Sequence, residues 1–262
     1  MIKSLKIFFL ASAALIASSA TAQQDQPPHL DKSTSLGFEY EVFAGINIGG
    51  AAPVPLPAEI RKIESYNPNL NPQIGTKITK WFTPQADRSW GVSVGLMLDT
   101  KGMKTKAKVK NYGMEIIRDG SYVSGNWTGK VETRYHSNQL IIPILANYRF
   151  NRIWKVSLGP YVAYAFNNDF NGEVYDGYLR EGDPTGEKVT FEGDAKATYD
   201  FGDNLRPFQW GAQLGGSWTA LRHLTVNANL SWGLNGIFKS SFKTVRFSLY
   251  PIYLNLGFGY VF

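Results

Sequence analysis

Residues 251–262 read PIYLNLGFGYVF. With Tyr250 before them they set Tyr250, Ile252, Leu254, Leu256, Phe258, Tyr260 and Phe262 at every second position, alternating with Pro251, Tyr253, Asn255, Gly257, Gly259 and Val261. Successive side chains of a strand point to opposite faces, so this is a β-strand with one oily side and one side of small or polar residues. The fold turns on which side meets water.

Working back along the chain, the design repeats. Residues 206–218 set Phe208, Trp210, Ala212, Leu214, Gly216 and Trp218 against Gln209, Gly211, Gln213, Gly215 and Ser217. Residues 223–235 set Leu224, Val226, Ala228, Leu230, Trp232 and Leu234 against Thr225, Asn227, Asn229, Ser231 and Gly233, and residues 154–167 behave alike. Less regular strands are expected over 36–48, 73–82, 89–99 and 139–150, making eight in all. Short connections at 83–88, 151–153 and 219–222 alternate with mostly longer ones at 49–72, 100–138, 168–205 and 236–245. Strand-like stretches within the long ones suggest hairpins that project beyond the sheet.

The composition of the polar face orients the sheet. In the last four strands its only groups that are charged or titrate near neutral pH are Lys155 and His223; the rest are mainly Gly, Asn, Ser, Gln, Thr and Ala. A sheet surface open to water would carry many Lys and Glu, as the outside of a soluble lipocalin-type barrel does. Small groups able to hydrogen-bond one another suit the narrow bore of an eight-stranded barrel. The oily face then points outward, and aromatic residues gather at both strand ends: Phe38, Trp90, Trp154, Trp218 and Tyr260 at one, Tyr164, Phe208, Trp210, Trp232 and Tyr250 at the other. These are the girdles of a membrane barrel, in which the closed sheet pairs every backbone group. The expected fold is all-β: a closed antiparallel transmembrane β-barrel with short periplasmic turns and long extracellular loops.

The N-terminus gives the address. Lys3 and Lys6, an apolar run from Ile7 to Ala17 and Ala20-Thr21-Ala22 form a secretory signal, with cleavage after Ala22. The run is shorter than the roughly 20 apolar residues of a helical anchor. Removing residues 1–22 takes away two lysines and no acid, so the formal charge of +6 falls to +4. The expected domains are a signal peptide at 1–22, a flexible periplasmic tail at 23–35 and a barrel at 36–262 in the cell outer membrane. The charge is mildly basic, and export argues against nucleic acid as a partner.

Residues that could carry chemistry are few. There is no cysteine, and His29, His136 and His223 share no ligand spacing, so no metal and no cofactor are expected. His136 and Ser137 are neighbours on a strand and point to opposite faces, which argues against a Ser/His catalytic pair and against an enzyme. Glu39, Glu41, Arg149 and Lys155 project inward near the periplasmic end and are candidates for an ion-pair network that closes the lumen, since buried charges need partners. Lys104, Lys106, Lys108 and Lys110 share one face and continue the outward parity of Trp90 to Leu98, a row suited to lipopolysaccharide phosphates.

The segments NQLIIPILANYRF, WKVSLGPYVAYAF, GAQLGGSWTALRHLTVNANLSWGLNGIF and LNLGFGYVF together resemble the PorT-type outer-membrane β-barrel family, and GLMLDTKGMK is similar to its third strand. The resemblance covers nearly the whole barrel and implies an outer-membrane barrel of about eight strands. It brings type IX protein secretion into view as a role, without a catalytic residue to carry over. The expected function is a structural or loop-mediated interaction role. Its expected partners are outer-membrane lipid and lipopolysaccharide, the barrel assembly machinery during biogenesis and, on the PorT-like alternative, secretion-system proteins. A small-solute pore and a lipid A-modifying enzyme are the further alternatives.

Overall fold

The computed structural model describes residues 37–262 apart from Asp119, so the expected signal peptide and tail lie outside the described residues. Ten strands follow one another: β1 (Phe38–Pro53), β2 (Ile60–Asn67), β3 (Asn71–Trp81), β4 (Ser89–Arg118), β5 (Ser121–Arg149), β6 (Trp154–Glu181), β7 (Lys188–Asp200), β8 (Phe208–Thr219), β9 (Leu224–Gly233) and β10 (Leu249–Val261), with one 3-10 turn at Gly202–Asn204 before β8.

Eight of them close a ring. β1 pairs with β3, and pairing continues through β4, β5, β6, β8, β9 and β10 back to β1, antiparallel throughout. Followed across the pairs from Tyr40, the ladder passes Ile78, Val94, Ile144, Pro160, Ala212, Trp232 and Ile252 and returns to β1 at Gly50, ten residues further up. A stagger of this kind tilts the strands by about 40° to the barrel axis. Within this lower storey Val42, Ile46, Val94, Leu96, Leu158, Leu214 and Leu256 are exposed on the outer wall, whereas Asn47, Gln73, Ser93, Asn147, Gln213, Asn227 and Asn255 are buried in the bore.

The remaining two strands sit above the ring. Where β3 has ended, β2 takes its place beside β4, pairing Ile60–Asn67 with Val109–Lys104. β2 and β3 are thus one descending path, broken at Pro68-Asn69-Leu70, where Asn69 adopts a φ of 57°, a left-handed conformation that asparagine tolerates. On the other side β7 pairs with β6 above the start of β8, and a single pair, Ile117 with Thr198, brings it round to β4. The extensions of β4, β5 and β6, with β2 and β7, therefore curl into a cap.

The segments expected as loops at 100–138 and 168–205 are mostly strand. They escaped the outward-apolar pattern because the cap reverses it. Above the membrane the medium outside is water, so the apolar side chains turn inward: Met103, Val109, Met114, Ile116, Trp127, Val131, Tyr135, Phe170, Val174, Leu179 and Phe191 form a buried cluster. The β9–β10 connection adds Ile237, Phe238 and Val245 to it. Each such side chain contributes about 1.5–3 kcal/mol when fully buried, enough to give the cap a core of its own.

Candidate functional site

Three levels of the interior, and one patch of the outer wall, hold the side chains that could act. At the periplasmic mouth, alternation brings Glu39 and Glu41 of β1 into the bore. Lys155 Nζ lies 2.6 Å from Glu39 Oε1, and Trp81 Nε1 donates to Glu39 Oε2 at 3.1 Å. Lys77 Nζ lies 2.8 Å from Glu41 Oε2, while Thr225 Oγ1 and Asn227 Nδ2 each donate to Glu41 Oε1 at 2.8 Å. Gly259 leaves room for this carboxylate, since a Cβ there would collide with Glu41 Oε1 and stand 2.6 Å from Thr225 Oγ1.

Of the four residues singled out for a lumen network, the structure brings Glu39 and Lys155 into one pair and sets Glu41 beside them with a different partner. Arg149 departs from the expectation. It lies over the Trp81 ring, 4.7 Å from its centroid, and donates to the carbonyls of Pro84 and Ala86, so it fastens the 83–88 turn and joins no ion pair among the described residues. The guanidinium is long enough to pass the carboxylates and reach the turn. Lys77 was overlooked, although its parity opposite Ile74 and Ile78 pointed inward.

Midway up, Asp99 Oδ1 accepts from Asn47 Nδ2 at 2.5 Å and Gln73 Nε2 at 2.8 Å, and Asn255 donates to Asn47 Oδ1 at 3.0 Å. The cavity among Asn47, Gln73, Asp99, Tyr161, Gln213 and Asn255 has a volume of about 10 Å³, roughly the space of one water. Above it Lys101 is fully buried, with Nζ 3.8 Å from Asp99 Oδ2 and over the rings of Tyr161 and Tyr253. Gln139 donates to Ser137 Oγ and to Gln209 Oε1 before the apolar core of the cap begins. Side chains occupy the bore at each level from mouth to cap, and a second cavity of about 10 Å³ lies lower down beside Lys77, Lys155 and Asn227.

On the outer wall of the cap, register places Lys106 opposite Glu132, Lys104 opposite Arg134, and Glu132 opposite Glu173. Glu132 Oε1 lies 2.8 Å from Lys104 Nζ and 2.6 Å from Arg134 Nη2, and Glu132 Oε2 lies 3.3 Å from Lys106 Nζ. Glu173 is reached at 3.5 Å by both Arg134 and Lys196. Burial by itself would raise the Glu132 carboxyl, but the hydrogen bonds from Lys104, Arg134 and Lys106 outweigh it and hold it at about 2. Lys108 and Lys110 stand higher on the same wall, exposed and without an ion pair among the described residues. The row Lys104 to Lys110 is therefore two lysines gathered on a carboxylate and two reaching into water.

A depressed carboxyl stabilises the folded state fully above its unfolded pKa of about 4.3, and loses that contribution as pH falls toward its folded value. The cap is accordingly expected to lose stability between about pH 4.5 and pH 2. Thermal melting followed by cap-specific proteolysis checks this, and Glu132→Gln should flatten the dependence.

The hairpin that carries the Glu132 cluster is signalled in the sequence, but its register is not. An Asp-Gly pair at 119–120 is a sequence signal for a tight hairpin, and the pairing of Arg118 with Ser121 carries Lys106 to Glu132 once the irregularity between Val109 and Tyr112 is allowed for. That irregularity is not legible in the residues themselves. His136 and Ser137 fall on opposite faces: Ser137 donates inward to Asn168 Oδ1 at 2.6 Å, while His136 is outward. Among the described residues no group of three or more His, Asp or Glu could hold a metal ion.

A closed ring of antiparallel strands with an oily wall and a hydrophilic bore is the geometry of a bacterial outer-membrane protein. The family model described as "Outer membrane protein beta-barrel domain" matches residues 21–239. The chain belongs to this family. Its place is the outer membrane. No curated protein matches the chain. Among solved structures it is similar to Ail, the attachment invasion locus protein of Yersinia pestis, in complex with the heparin analogue sucrose octasulfate, at 12% identity over 86% of this chain and 99% of that one, with a TM-score of 0.34. It is also similar to the outer membrane protein OprG from Pseudomonas aeruginosa, at 14% identity over 86% of this chain and 95% of that one, with a TM-score of 0.33.

Proposed function

We propose that this outer-membrane barrel is a closed, non-catalytic anchor that carries its cap into the external medium, where the cap and its outer wall meet their partners. The observation that supports it is the filled bore: ion pairs at the periplasmic mouth, the Asp99 and Lys101 layer above them, and the apolar cluster of the cap over both. Buried charges held by partners and an apolar plug above them argue against a continuous aqueous path for solute. Lipopolysaccharide around the barrel and the assembly machinery that inserts it are the partners this placement implies.

The test is a planar bilayer recording. The refolded protein is expected to give no steady conductance, and a large, stable step would overturn the closed anchor. In the same preparation a lipid A acyl-chain assay is expected to show no turnover, alike in wild type and His136→Ala; activity lost in the variant would make the protein an enzyme. The PorT-type motifs support a second reading, an accessory role in type IX secretion, and a deletion strain with an altered secretome would favour it.

A further inference from the structure

The outer-wall cluster has an arrangement that its role in holding the cap does not require. Glu132 and Glu173 face each other on neighbouring strands, a pairing of like charges that is unfavourable by itself. Four cations, Lys104, Lys106, Arg134 and Lys196, gather on them, leaving a net formal charge of two positive. The charges are also layered. The side chain of Glu132 is 8% exposed and that of Glu173 29%, whereas Lys104, Lys106, Arg134 and Lys196 are 40%, 41%, 48% and 55% exposed. The carboxylates lie beneath, and the surface that meets the medium is positive.

Position selects the ligand. Lys104 follows lipid-facing Leu98 by six residues with the same outward parity, about 20 Å along the strand and about 15 Å along the membrane normal at a tilt of about 40°. The cluster therefore stands on the side wall just above the hydrocarbon, beyond the level of exposed Tyr164 and Phe166 on β6, and it faces sideways into the outer leaflet. A guanidinium flanked by ammonium groups is suited to a phosphate, which accepts from several donors at once.

We infer that Lys104, Lys106, Arg134 and Lys196, held in place by Glu132 and Glu173, form a binding site for a phosphate group of lipopolysaccharide. This deepens the reading of the cap wall as an interaction surface by naming one partner for it. The carboxylates preorganise the cations, so the site exists before the lipid arrives. A basic side chain near an anionic membrane surface contributes about 1 kcal/mol, about fivefold in affinity.

The experiment uses the full barrel in neutral detergent and titrates it with bisphosphorylated lipid A, dephosphorylated lipid A, inorganic phosphate and a soluble sulfated polysaccharide. Wild type is expected to prefer the phosphorylated lipid, with an affinity that falls as salt rises. Lys104→Gln/Arg134→Gln is expected to bind it about thirtyfold more weakly and to bind dephosphorylated lipid A unchanged. Lys108→Gln/Lys110→Gln, higher on the wall, should have a much smaller effect. Heat-modifiable migration verifies that each variant is folded, and bilayer recordings test the closed anchor separately. Equal affinity for the two forms of lipid A, equal losses in the two variants, or tight binding of the soluble polyanion with none of the lipid would each overturn the assignment.

Discussion

Trp127→Ala is expected to open the cap while leaving the barrel standing. Trp127 is fully buried, and its ring meets Phe191 of β7 at 5.4 Å between centroids, in an edge-to-face arrangement that fastens the β6–β7 hairpin over β5. Truncating a buried Trp costs about 3–5 kcal/mol, partly in lost transfer energy and partly in the cavity left behind. That cost falls on a cluster drawn mostly from the cap strands and the β7–β8 and β9–β10 connections, with only Ala51 and Leu249 at the upper ends of β1 and β10 joining it from the ring. Proteinase treatment of the variant in membranes should cleave within 168–205, where wild type resists, and the protected remainder should keep its heat-modifiable migration. Simultaneous loss of both would mean that cap and barrel melt as one unit, contrary to the reversal of polarity between them.

Glu41→Ala has the second large effect, at the opposite end. It removes the carboxylate that partners Lys77 and the acceptor used by Thr225 and Asn227, leaving a half-buried ammonium without its charge partner and two buried donors without their acceptor. Breaking a buried pair on one side costs about 3–5 kcal/mol because the remaining charge stays desolvated. The midpoint of urea unfolding in detergent should fall clearly. Glu41→Gln, which retains an acceptor for Thr225 and Asn227, should lose less. Glu41→Met/Lys77→Met, which removes both charges, should regain most of the loss, since apolar replacement of a whole buried pair is often neutral. An unchanged midpoint in Glu41→Ala would show that Lys77 finds water or another partner in the bore.

The membrane part of this fold was legible because the physics there is monotonous. Lipid outside and a crowded bore inside demand alternation, and stretches such as Phe208–Trp218 and Tyr250–Phe262 obey it over their whole length. The cap was obscured by the change of solvent partway along a single strand. In β4 the parity that points Leu98 to lipid points Lys104 to water, and the parity that points Asp99 into a polar bore points Met103 and Val109 into an apolar core. A template of either kind fails at the crossover, although the alternation itself continues. β2 was unreadable for another reason: IRKIESYN is exposed on nearly every side chain, so it shows no buried face to recognise. At the site, the inward glutamates and Lys155 followed from parity, whereas the end point of Arg149 depended on how far its side chain reaches, which residue spacing does not encode.

β4, β5 and β6 run without interruption for 30, 29 and 28 residues. The tip at Arg118 and Ser121 lies twenty residues beyond Leu98, roughly 50 Å further from the bilayer midplane at the tilt of the strands. With the strands continuous from acyl chains to tip, their pairing shifted only at bulges such as the one between Val109 and Tyr112, there is no linker at which the upper part could swing. Anything that grips the summit is held at a constant standoff from the cell surface, and a pull on it loads many backbone hydrogen bonds at once.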